Sequence, residues 1–201
     1  MDTFRYILAL VILMSLVPAV LLWFLIHPFG PFWRKLGPWI TYLILLGFTV
    51  LSMAGVFLIR HPLLAPDWGT NYVTLILGLV AMGFGTLIAV KRKRHLTFPI
   101  LAGLPEVSAE QYPGKLLTEG IYGRIRHPRY VEVVLWVIGY ALVTNFPSLY
   151  AASVLTVPVL YLIVFLEERE LEVRFGDEWR AYKSRVPAFI PSSWRRSKTT
   201  G

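Results

Sequence analysis

Four long stretches without a charged residue constrain this chain more than any other feature. Asp, Glu, Lys and Arg are absent from residues 6–26, 36–59, 68–90 and 133–166. About 20 consecutive apolar residues cross the hydrocarbon core of a bilayer as a helix, and soluble domains seldom contain such runs. The pattern therefore predicts an all-α, polytopic membrane helix bundle, and a chain of 201 residues leaves little outside it.

Charge and composition exclude several classes of protein and of site. Because the apolar runs place the chain in a membrane, the formal net charge of +8 is expected to face anionic lipid headgroups. Membrane lipid is therefore a predicted partner, and nucleic acid is not. The chain has no cysteine, which excludes disulfides, thiolate catalysis and Cys-ligated metals. Its four histidines are scattered along the sequence, so no metal site is predicted.

Basic residues at the ends of the runs predict the orientation of the helices. Residues 91–95 read KRKRH, and by the positive-inside rule this end of the third run is cytoplasmic. Counting from there places the N-terminus outside and the C-terminus in the cytoplasm. The first run is expected to be retained rather than removed as a signal peptide. Only one basic residue, Arg5, precedes it, and no small-residue cleavage site follows.

The last run, residues 133–166, fits neither one crossing nor two. One helix over this run would be roughly 50 Å long at 1.5 Å per residue, against a hydrocarbon core of about 30 Å. Asn145-Phe146-Pro147-Ser148 interrupts it; Pro128 suits the first position of one helix, and Ser148 the N-cap of the next. We predict a hairpin with arms at about 128–145 and 148–170, the first barely crossing. The total is then about five transmembrane helices.

Charged and aromatic residues follow the hairpin. Gly176 is predicted to end the helix of the second arm, and Asp177 to cap a short helix after it. Trp179 and Tyr182 share one face of that short helix, which suits a membrane interface.

Two features of the predicted helices carry structural expectations. Glu132 lies just inside the first arm, where an unpaired carboxylate is costly, so it is expected to pair with a basic neighbour. Gly78, Gly83 and Gly85 lie in the third run, where small residues allow close contact between helices; the alternative is that glycine is simply common in transmembrane helices.

A polar, glycine-rich and aromatic segment lies between the third run and the hairpin. Residues 114–130 read GKLLTEGIYGRIRHPRY, and the last apolar run ends at Glu167-Glu168. The hairpin brings Arg126-His127 and the two glutamates to the same side of the membrane. We predict that these two pieces form one small-molecule site at the membrane surface.

These residues resemble the isoprenylcysteine carboxyl methyltransferase family, membrane S-adenosylmethionine-dependent methyltransferases related to the phospholipid N-methyltransferases. The resemblance rests on the pattern G-[IV]-Y-x-x-x-R-H-P-x-Y followed, after the hairpin, by E-E-x-x-L-x-x-x-F-G-x-x-[YW]-x-x-Y-x-x-x-V-P. It covers roughly residues 114–191. The matching residues are Gly120, Ile121, Tyr122, Arg126, His127, Pro128, Tyr130, Glu167, Glu168, Leu171, Phe175, Gly176, Trp179, Tyr182, Val186 and Pro187.

The resemblance implies S-adenosyl-L-methionine as the cofactor and a lipophilic or small methyl acceptor: a carboxylate, an amine or a thiol, an isoprenylcysteine-like compound among them. Two positions depart from the family pattern. Gly114 stands where the family often has His, and Ile163 where prenylcysteine enzymes have a substrate-binding Arg. The cofactor-binding positions that the resemblance implies are Gly114, Lys115, Leu116, Leu117, Tyr122, His127, Pro128, Tyr130, Glu167 and Glu168.

Particular side chains suit particular parts of this cofactor. Arg126 and His127 are the candidate catalytic residues, able to pair with the methionyl carboxylate. Tyr122 and Tyr130 suit the sulfonium or the adenine ring, and Glu167 suits the ribose hydroxyls or the amino group. Plainer interpretations stand beside these for three residues of the predicted site. Arg126 is also readable as a headgroup anchor, His127 as a cap of the turn, and Glu168 as a solvated helix residue.

The sequence leaves two other functions open: a membrane NADPH-dependent reductase with a similar hairpin, and a non-catalytic lipid-binding membrane protein. We divide the chain into three N-terminal spans (1–95), a methyltransferase-like part with cofactor loop, hairpin and cytoplasmic C-terminal helices (96–191), and a basic tail (192–201). The active site is expected on the cytoplasmic side, with the acceptor entering from the bilayer.

Overall fold

The computed structural model describes residues 3–26, 29–93 and 116–191. Within these ranges the chain is helical and contains no strand. In chain order the helices are α1 (Thr3–Ile26), α2 (Gly30–Leu36), α3 (Pro38–Leu58), α4 (Arg60–Leu63), α5 (Tyr72–Lys93), a 3-10 turn (Gly120–Gly123), α6 (Pro128–Thr144) and α7 (Pro147–Arg185).

Several predicted features lie outside the described residues. These are the cofactor-loop positions Gly114 and Lys115, the last two residues of the basic run 91–95, and the tail 192–201. The predicted domain boundary after residue 95 falls there too, so the division into domains stays a prediction.

Four helices, α1, α3, α5 and α7, are long and apolar enough to cross a membrane. The first hairpin arm, α6, has 17 residues and is roughly 25 Å long at 1.5 Å per residue, shorter than a hydrocarbon core of about 30 Å. Large apolar side chains on the outer faces are exposed, as a bundle surrounded by lipid requires; Leu43 and Leu51 on α3 are 69% and 71% exposed. The all-α polytopic membrane fold is confirmed, with four full-length candidate spans and the short arm that was expected barely to cross.

The seam between α5 and α6 is the most extensive helix–helix contact in the bundle. A methyl group on Gly78 would lie 2.6 Å from the Gly139 carbonyl oxygen, and one on Gly85 would lie 2.6 Å from the Trp136 ring. The expected close contact is therefore confirmed for Gly78 and Gly85. It is wrong for Gly83, because this residue faces away from α6 and nothing lies within 4 Å of an added methyl group.

The hairpin turn differs in one detail from the prediction. Pro128 begins α6 as predicted, and Asn145 ends it in the left-handed region with φ 55°. The predicted cap at Ser148 is wrong: Pro147, whose ring suits the first helical turn, begins α7, and Phe146 occupies the N-cap position. Ser148 therefore lies inside the first turn, where its buried hydroxyl has no partner.

Gly176 bends the long helix α7 near its C-terminal end. Its φ of 52° and ψ of −120° interrupt the helical geometry, a conformation that suits glycine, so the predicted break at Gly176 is confirmed. Trp179 and Tyr182 share one face as predicted, but they are only 1% and 3% exposed. Their placement at a membrane interface is wrong, because the bend turns this face onto Leu116 inside the protein.

Polar residues gather at the hairpin tip, where α6 passes into α7. Arg5, at the start of α1, donates from Nη2 to Asp67 Oδ1 at 2.6 Å and to the Thr144 carbonyl at 2.6 Å. Asn145 donates from Nδ2 to the Gly69 carbonyl at 2.9 Å. These contacts tie the start of α1 and the segment before α5 to the tip. The tip cluster consists of Arg5, Asp67, Gly69, Thr144 and Asn145.

Candidate functional site

The segment that follows α7 runs beside the turn that precedes α6. The backbone N–H of Arg126 donates to the Pro187 carbonyl at 2.9 Å, and that of His127 donates to the Ala188 carbonyl at 3.0 Å. At this opposite end of the bundle, the hairpin base, Trp23 of α1 packs edge-on against Tyr130 with ring centroids 5.4 Å apart. The structure therefore brings together the two sequence segments that were predicted to meet.

Glu168 is the centre of the polar contacts at the hairpin base. Its Oε1 accepts hydrogen bonds from Arg126 Nη2 at 2.7 Å and from His127 Nε2 at 2.9 Å. Its Oε2 lies 2.8 Å from Lys183 Nζ. Burial alone raises the pKa of this carboxyl, which lies beyond the charge-free part of α7. Hydrogen bonds from the three basic side chains outweigh burial and hold the pKa of Glu168 well below its usual range, so the group is ionised at neutral pH.

Arg126 is held by the protein itself. Besides its contacts with Glu168 through Nε and Nη2, it donates from Nη1 to the carbonyls of Lys183 and Val186. These four hydrogen bonds join the turn before α6 to the end of α7. The catalytic role of Arg126 stays a prediction, and its contacts in this structure are with the protein.

Glu167 differs from its neighbour in exposure and in partners. Its side chain is 31% exposed, against 13% for Glu168. Tyr130 donates its hydroxyl to Glu167 Oε2 at 2.6 Å, and His127 Nδ1 lies 3.7 Å from the same oxygen. Glu167 is therefore the carboxylate of this cluster that is more open to a ligand. The base cluster consists of Arg126, His127, Tyr130, Glu167, Glu168 and Lys183.

His127 and Pro128 are buried between the base cluster and aromatic rings. The His127 side chain is 3% exposed, and its ring centroid lies 5.7 Å from that of Tyr130 and 5.9 Å from that of Phe189. Bulk water therefore has little access to the imidazole.

The other predicted cofactor-binding positions surround the 3-10 turn. Tyr182 donates its hydroxyl to the Tyr122 carbonyl at 2.7 Å, and burial raises the pKa of Tyr182 to about 12, so this donor keeps its proton at physiological pH. Tyr122 is half-buried, and burial raises its pKa as well. Leu116 is buried against Trp179, and Leu117 is half-buried. Binding of a cofactor at these positions stays a prediction.

Glu132 has the basic partner that was predicted for it. Arg92 at the end of α5 donates from Nε to Glu132 Oε2 at 2.8 Å and from Nη2 to Oε1 at 3.3 Å. The paired carboxylate stands at the edge of a crevice of about 320 Å³ between α1 and α6. The residues that line this crevice are Val11, Ile12, Ser15, Leu16, Glu132, Val133, Trp136, Val137 and Tyr140.

Sequence reasoning missed Lys183 and Phe189 as neighbours of the site. Lys183 lies 15 positions after Glu168, and only the bend at Gly176 returns it to that carboxylate. No spacing rule for a straight helix relates the two positions. Phe189 lies beyond α7, in a segment whose course depends on contacts with the backbone of the turn before α6.

Among the described residues, no three His, Cys, Asp or Glu side chains are arranged to hold a metal ion.

The fold and the base cluster define a polytopic helical membrane protein with a polar candidate site at the base of a helical hairpin. The family model described as phospholipid methyltransferase matches residues 73–178, more than half of the 201 residues. The chain belongs to this family, which confirms the predicted kinship with membrane methyltransferases.

Curated relatives carry the names of two enzymes. The chain is 32% identical over 156 residues to methanethiol S-methyltransferase 1 of Bradyrhizobium diazoefficiens. The aligned region covers 75% of this chain and 53% of that protein. It is 29% identical over 181 residues to methanethiol S-methyltransferase of Crocosphaera subtropica, which covers 84% of this chain and 68% of that protein. It is 36% identical over 77 residues to protein-S-isoprenylcysteine O-methyltransferase of Schizosaccharomyces pombe, which covers 38% of this chain and 33% of that protein.

The chain thus spans about half the length of the Bradyrhizobium relative and a third of the Schizosaccharomyces one. No solved structure matches it significantly.

Proposed function

We propose that this protein is an integral membrane methyltransferase that binds S-adenosyl-L-methionine at the base cluster and methylates a small or lipophilic acceptor. Membership of the phospholipid methyltransferase family supports the reaction class. The observation that carries the location of the site is Glu167, a carboxylate that is 31% exposed at the open side of the base cluster. Such a group suits a cationic cofactor with hydroxyl and ammonium donors.

The residues of the base cluster fit the chemistry of this cofactor. Glu167 offers a carboxylate oxygen to the ammonium or ribose hydroxyls, and the buried Tyr130 holds Glu167 in place through its hydroxyl. Tyr122, Leu116 and Leu117 would complete the pocket beside them. When bound, S-adenosylmethionine supplies an electrophilic methyl group. The protein needs to hold it in line with the acceptor, and no metal ion is required for that.

The side chains around Glu167 hold its surroundings in place. Arg126 and Glu168 join the turn before α6 to the end of α7, so the position of His127 is fixed from both sides. The rings of Tyr130 and Phe189 shield the imidazole from water. In this proposal Glu167 binds the cofactor, and Arg126 and His127 orient it.

We infer that the acceptor is a thiol, or another group without a carboxylate. Ile163 occupies the position at which the resemblance places the substrate-binding Arg of prenylcysteine enzymes. It is 2% exposed and packs with Tyr130, Leu160 and Val164 in an apolar cluster. An acceptor carboxylate would find no cation there. Two of the matched relatives are named as methanethiol S-methyltransferases, which supports a thiol acceptor.

We further propose that the cofactor enters from the cytoplasm and the acceptor from the bilayer. The basic run that begins at Lys91 supports a cytoplasmic position for the hairpin base. The crevice between α1 and α6 supports lateral entry, because apolar side chains form most of its lining and its Glu132 edge is one turn from Pro128.

Ligand-dependent stabilisation of the protein in lipid nanodiscs tests the proposed cofactor. A ligand that binds only the folded state at 100 times its Kd adds about 2.7 kcal/mol to the free energy of unfolding. We expect S-adenosylmethionine and S-adenosylhomocysteine to raise Tm, and NADPH not to. Stabilisation by NADPH alone would support the reductase, and no effect of any of the three would support a lipid-binding protein. A methyl-transfer assay with a small thiol, a prenylated thiol and an amine lipid then identifies the acceptor.

A pair of matched variants tests lateral entry. Ser15→Phe places a ring in the crevice, whereas Thr86→Phe places one on the exposed surface of α5; both hydroxyls now bond to the carbonyl four residues earlier. We expect Ser15→Phe to slow methylation of lipophilic acceptors while leaving S-adenosylhomocysteine affinity and Thr86→Phe activity at the wild-type level. Equal rates for both variants would contradict the lateral path.

A further inference from the structure

The contact between Glu168 and His127 fixes where the ring hydrogen of that histidine lies. Glu168 Oε1 accepts from two nitrogens of Arg126 and lies 2.9 Å from His127 Nε2, and Oε2 lies 2.8 Å from Lys183 Nζ. An ionised carboxylate has no hydrogen to give and only accepts. A hydrogen bond at 2.9 Å therefore requires that His127 Nε2 carries the hydrogen.

The other ring nitrogen then faces a second acceptor. In a neutral imidazole with its hydrogen on Nε2, Nδ1 is an acceptor. Nδ1 lies 3.7 Å from Glu167 Oε2, which is too long for a hydrogen bond. Glu167 Oε2 already accepts from the Tyr130 hydroxyl at 2.6 Å. Two acceptors thus face each other across a gap that a single hydrogen-bond donor could bridge.

We propose that Glu168 is a positioning residue that fixes His127 as the Nε2–H tautomer, so that Nδ1 and Glu167 Oε2 form an acceptor pair for one donor of the ligand. The donor is an ammonium group, which has a hydrogen for each acceptor, or a hydroxyl group that shares its one hydrogen between them. Its assignment to S-adenosylmethionine rests on the proposed function, whereas the tautomer does not. This gives the adjacent glutamates different tasks: Glu168 orients the ring, and Glu167 contacts the ligand.

The charged and titratable groups around the imidazole come from three parts of the chain. Glu167 and Glu168 of α7 face its two nitrogens, and Tyr130 of α6 approaches through Glu167. Arg126 and Lys183 reach the ring only through Glu168. The competing arrangement is an imidazolium with hydrogen on both nitrogens, which would pair with both glutamates. It would present a donor to the ligand instead of an acceptor.

Nitrogen NMR of the ligand-free protein separates these arrangements. Protein labelled with ¹⁵N-histidine in lipid nanodiscs gives distinct signals for protonated and unprotonated ring nitrogens, and the His127 signals are those lost in His127→Asn. At pH 7 we expect one protonated nitrogen, Nε2, and one unprotonated nitrogen, Nδ1. The reverse tautomer, or hydrogen on both nitrogens, would overturn the proposal.

A matched pair of variants tests the role of Glu168. Glu168→Gln replaces the acceptor with a carboxamide that either donates or accepts, and we expect both tautomers of His127 to appear. Glu172→Gln, four positions further on and 45% exposed beside Arg180, is expected to leave the spectrum unchanged. If Glu168 is merely structural, Glu168→Gln will lower Tm without changing the tautomer. Should this variant not fold, the wild-type spectrum decides.

Ligand addition tests the acceptor pair separately. S-Adenosylhomocysteine is expected to shift the Nδ1 signal and to leave Nε2 nearly in place, and we expect Glu168→Gln to weaken its binding about tenfold. Analogues that lack the amino group or the ribose hydroxyls identify the donor, because the one that lacks it will not shift Nδ1. Binding without any change at Nδ1 would refute the acceptor pair. Absence of binding would refute the proposed function and leave the tautomer result standing.

Discussion

The two polar clusters of this bundle are built from similar residues but differ in what they leave open. At the tip, Arg5 is 5% exposed and its donors reach Asp67 and a backbone carbonyl. At the base, Glu168 is 13% exposed and bonded to three basic side chains, but Glu167 is 31% exposed beside it. Charges in an apolar bundle must be paired in either case. The comparison teaches that an accessible acceptor, rather than the presence of charge, distinguishes a candidate site from a structural clasp.

The comparison requires the two clusters to lie on opposite sides of the membrane. Because the chain has no cysteine, single cysteines report sidedness directly. Thr70→Cys, exposed near the tip, and Glu178→Cys, exposed near the base, are expected to react with an impermeant thiol reagent from opposite faces of sealed vesicles, with Glu178→Cys on the cytoplasmic face. Equal labelling of both from one side would remove the odd number of crossings.

Disrupting the tip cluster should lower the free energy of unfolding without affecting ligand binding at the base cluster. Arg5→Met keeps much of the apolar stem and leaves Asp67 and the Thr144 carbonyl without their partner. Breaking a buried ion pair from one side costs about 3–5 kcal/mol, and we expect a loss near the lower end because Asp67 is 19% exposed. Unfolding in nanodiscs measures this loss, with the exposed Arg180→Met as the control. A large fall in the S-adenosylhomocysteine affinity of folded protein would contradict the division of tasks.

Removing the accessible acceptor should have the opposite effect. Glu167→Gln keeps the shape and the contact with the Tyr130 hydroxyl but loses the charge. Loss of a charge-assisted hydrogen bond costs about 1.5–3 kcal/mol, which is roughly a 10- to 150-fold loss of affinity. Calorimetry with S-adenosylhomocysteine measures it, and Tm should change little. Affinity equal to wild type would remove Glu167 from the site.

The smallest effect on stability is expected for Lys183, a solvent-exposed side chain of the base cluster. The Lys183 side chain is 45% exposed, and its Nζ lies 2.8 Å from Glu168 Oε2. Exposed ion pairs contribute about 0–1 kcal/mol, so Lys183→Met should lower the free energy of unfolding by less than about 1 kcal/mol and leave ligand affinity unchanged. A larger loss in either measurement would contradict this peripheral role of Lys183.

The helices and the hairpin could be predicted because lipid imposes a rule that a sequence displays directly. Charge-free runs of sufficient length gave the spans, and Asn145 to Pro147 gave the turn. An ion pair of Glu132 could also be predicted, because a lone carboxylate in an apolar arm is costly. Its partner Arg92 could not be named, since several basic residues follow α5 and only the packing of α5 on α6 selects one.

The parts that the sequence did not predict depend on how the chain bends in three dimensions. A Trp and a Tyr on one helical face suit either a membrane interface or a protein interior, and the turn at Gly176 decides between them for Trp179 and Tyr182. Likewise, adjacent glutamates look equivalent in sequence. They differ here because successive helical positions point in directions about 100° apart, so that one meets three basic groups and the other meets Tyr130.

The backbone contacts between the turn before α6 and the segment after α7 have a consequence for biosynthesis. Arg126 and His127 donate their N–H groups to the carbonyls of Pro187 and Ala188, about 60 residues later in the order of translation. The spans and the hairpin can insert while the ribosome is still adding residues, but these two backbone contacts cannot form until Ala188 has been synthesised. The surroundings of the proposed site are therefore completed in a late step, when the C-terminal segment docks beside the turn before α6.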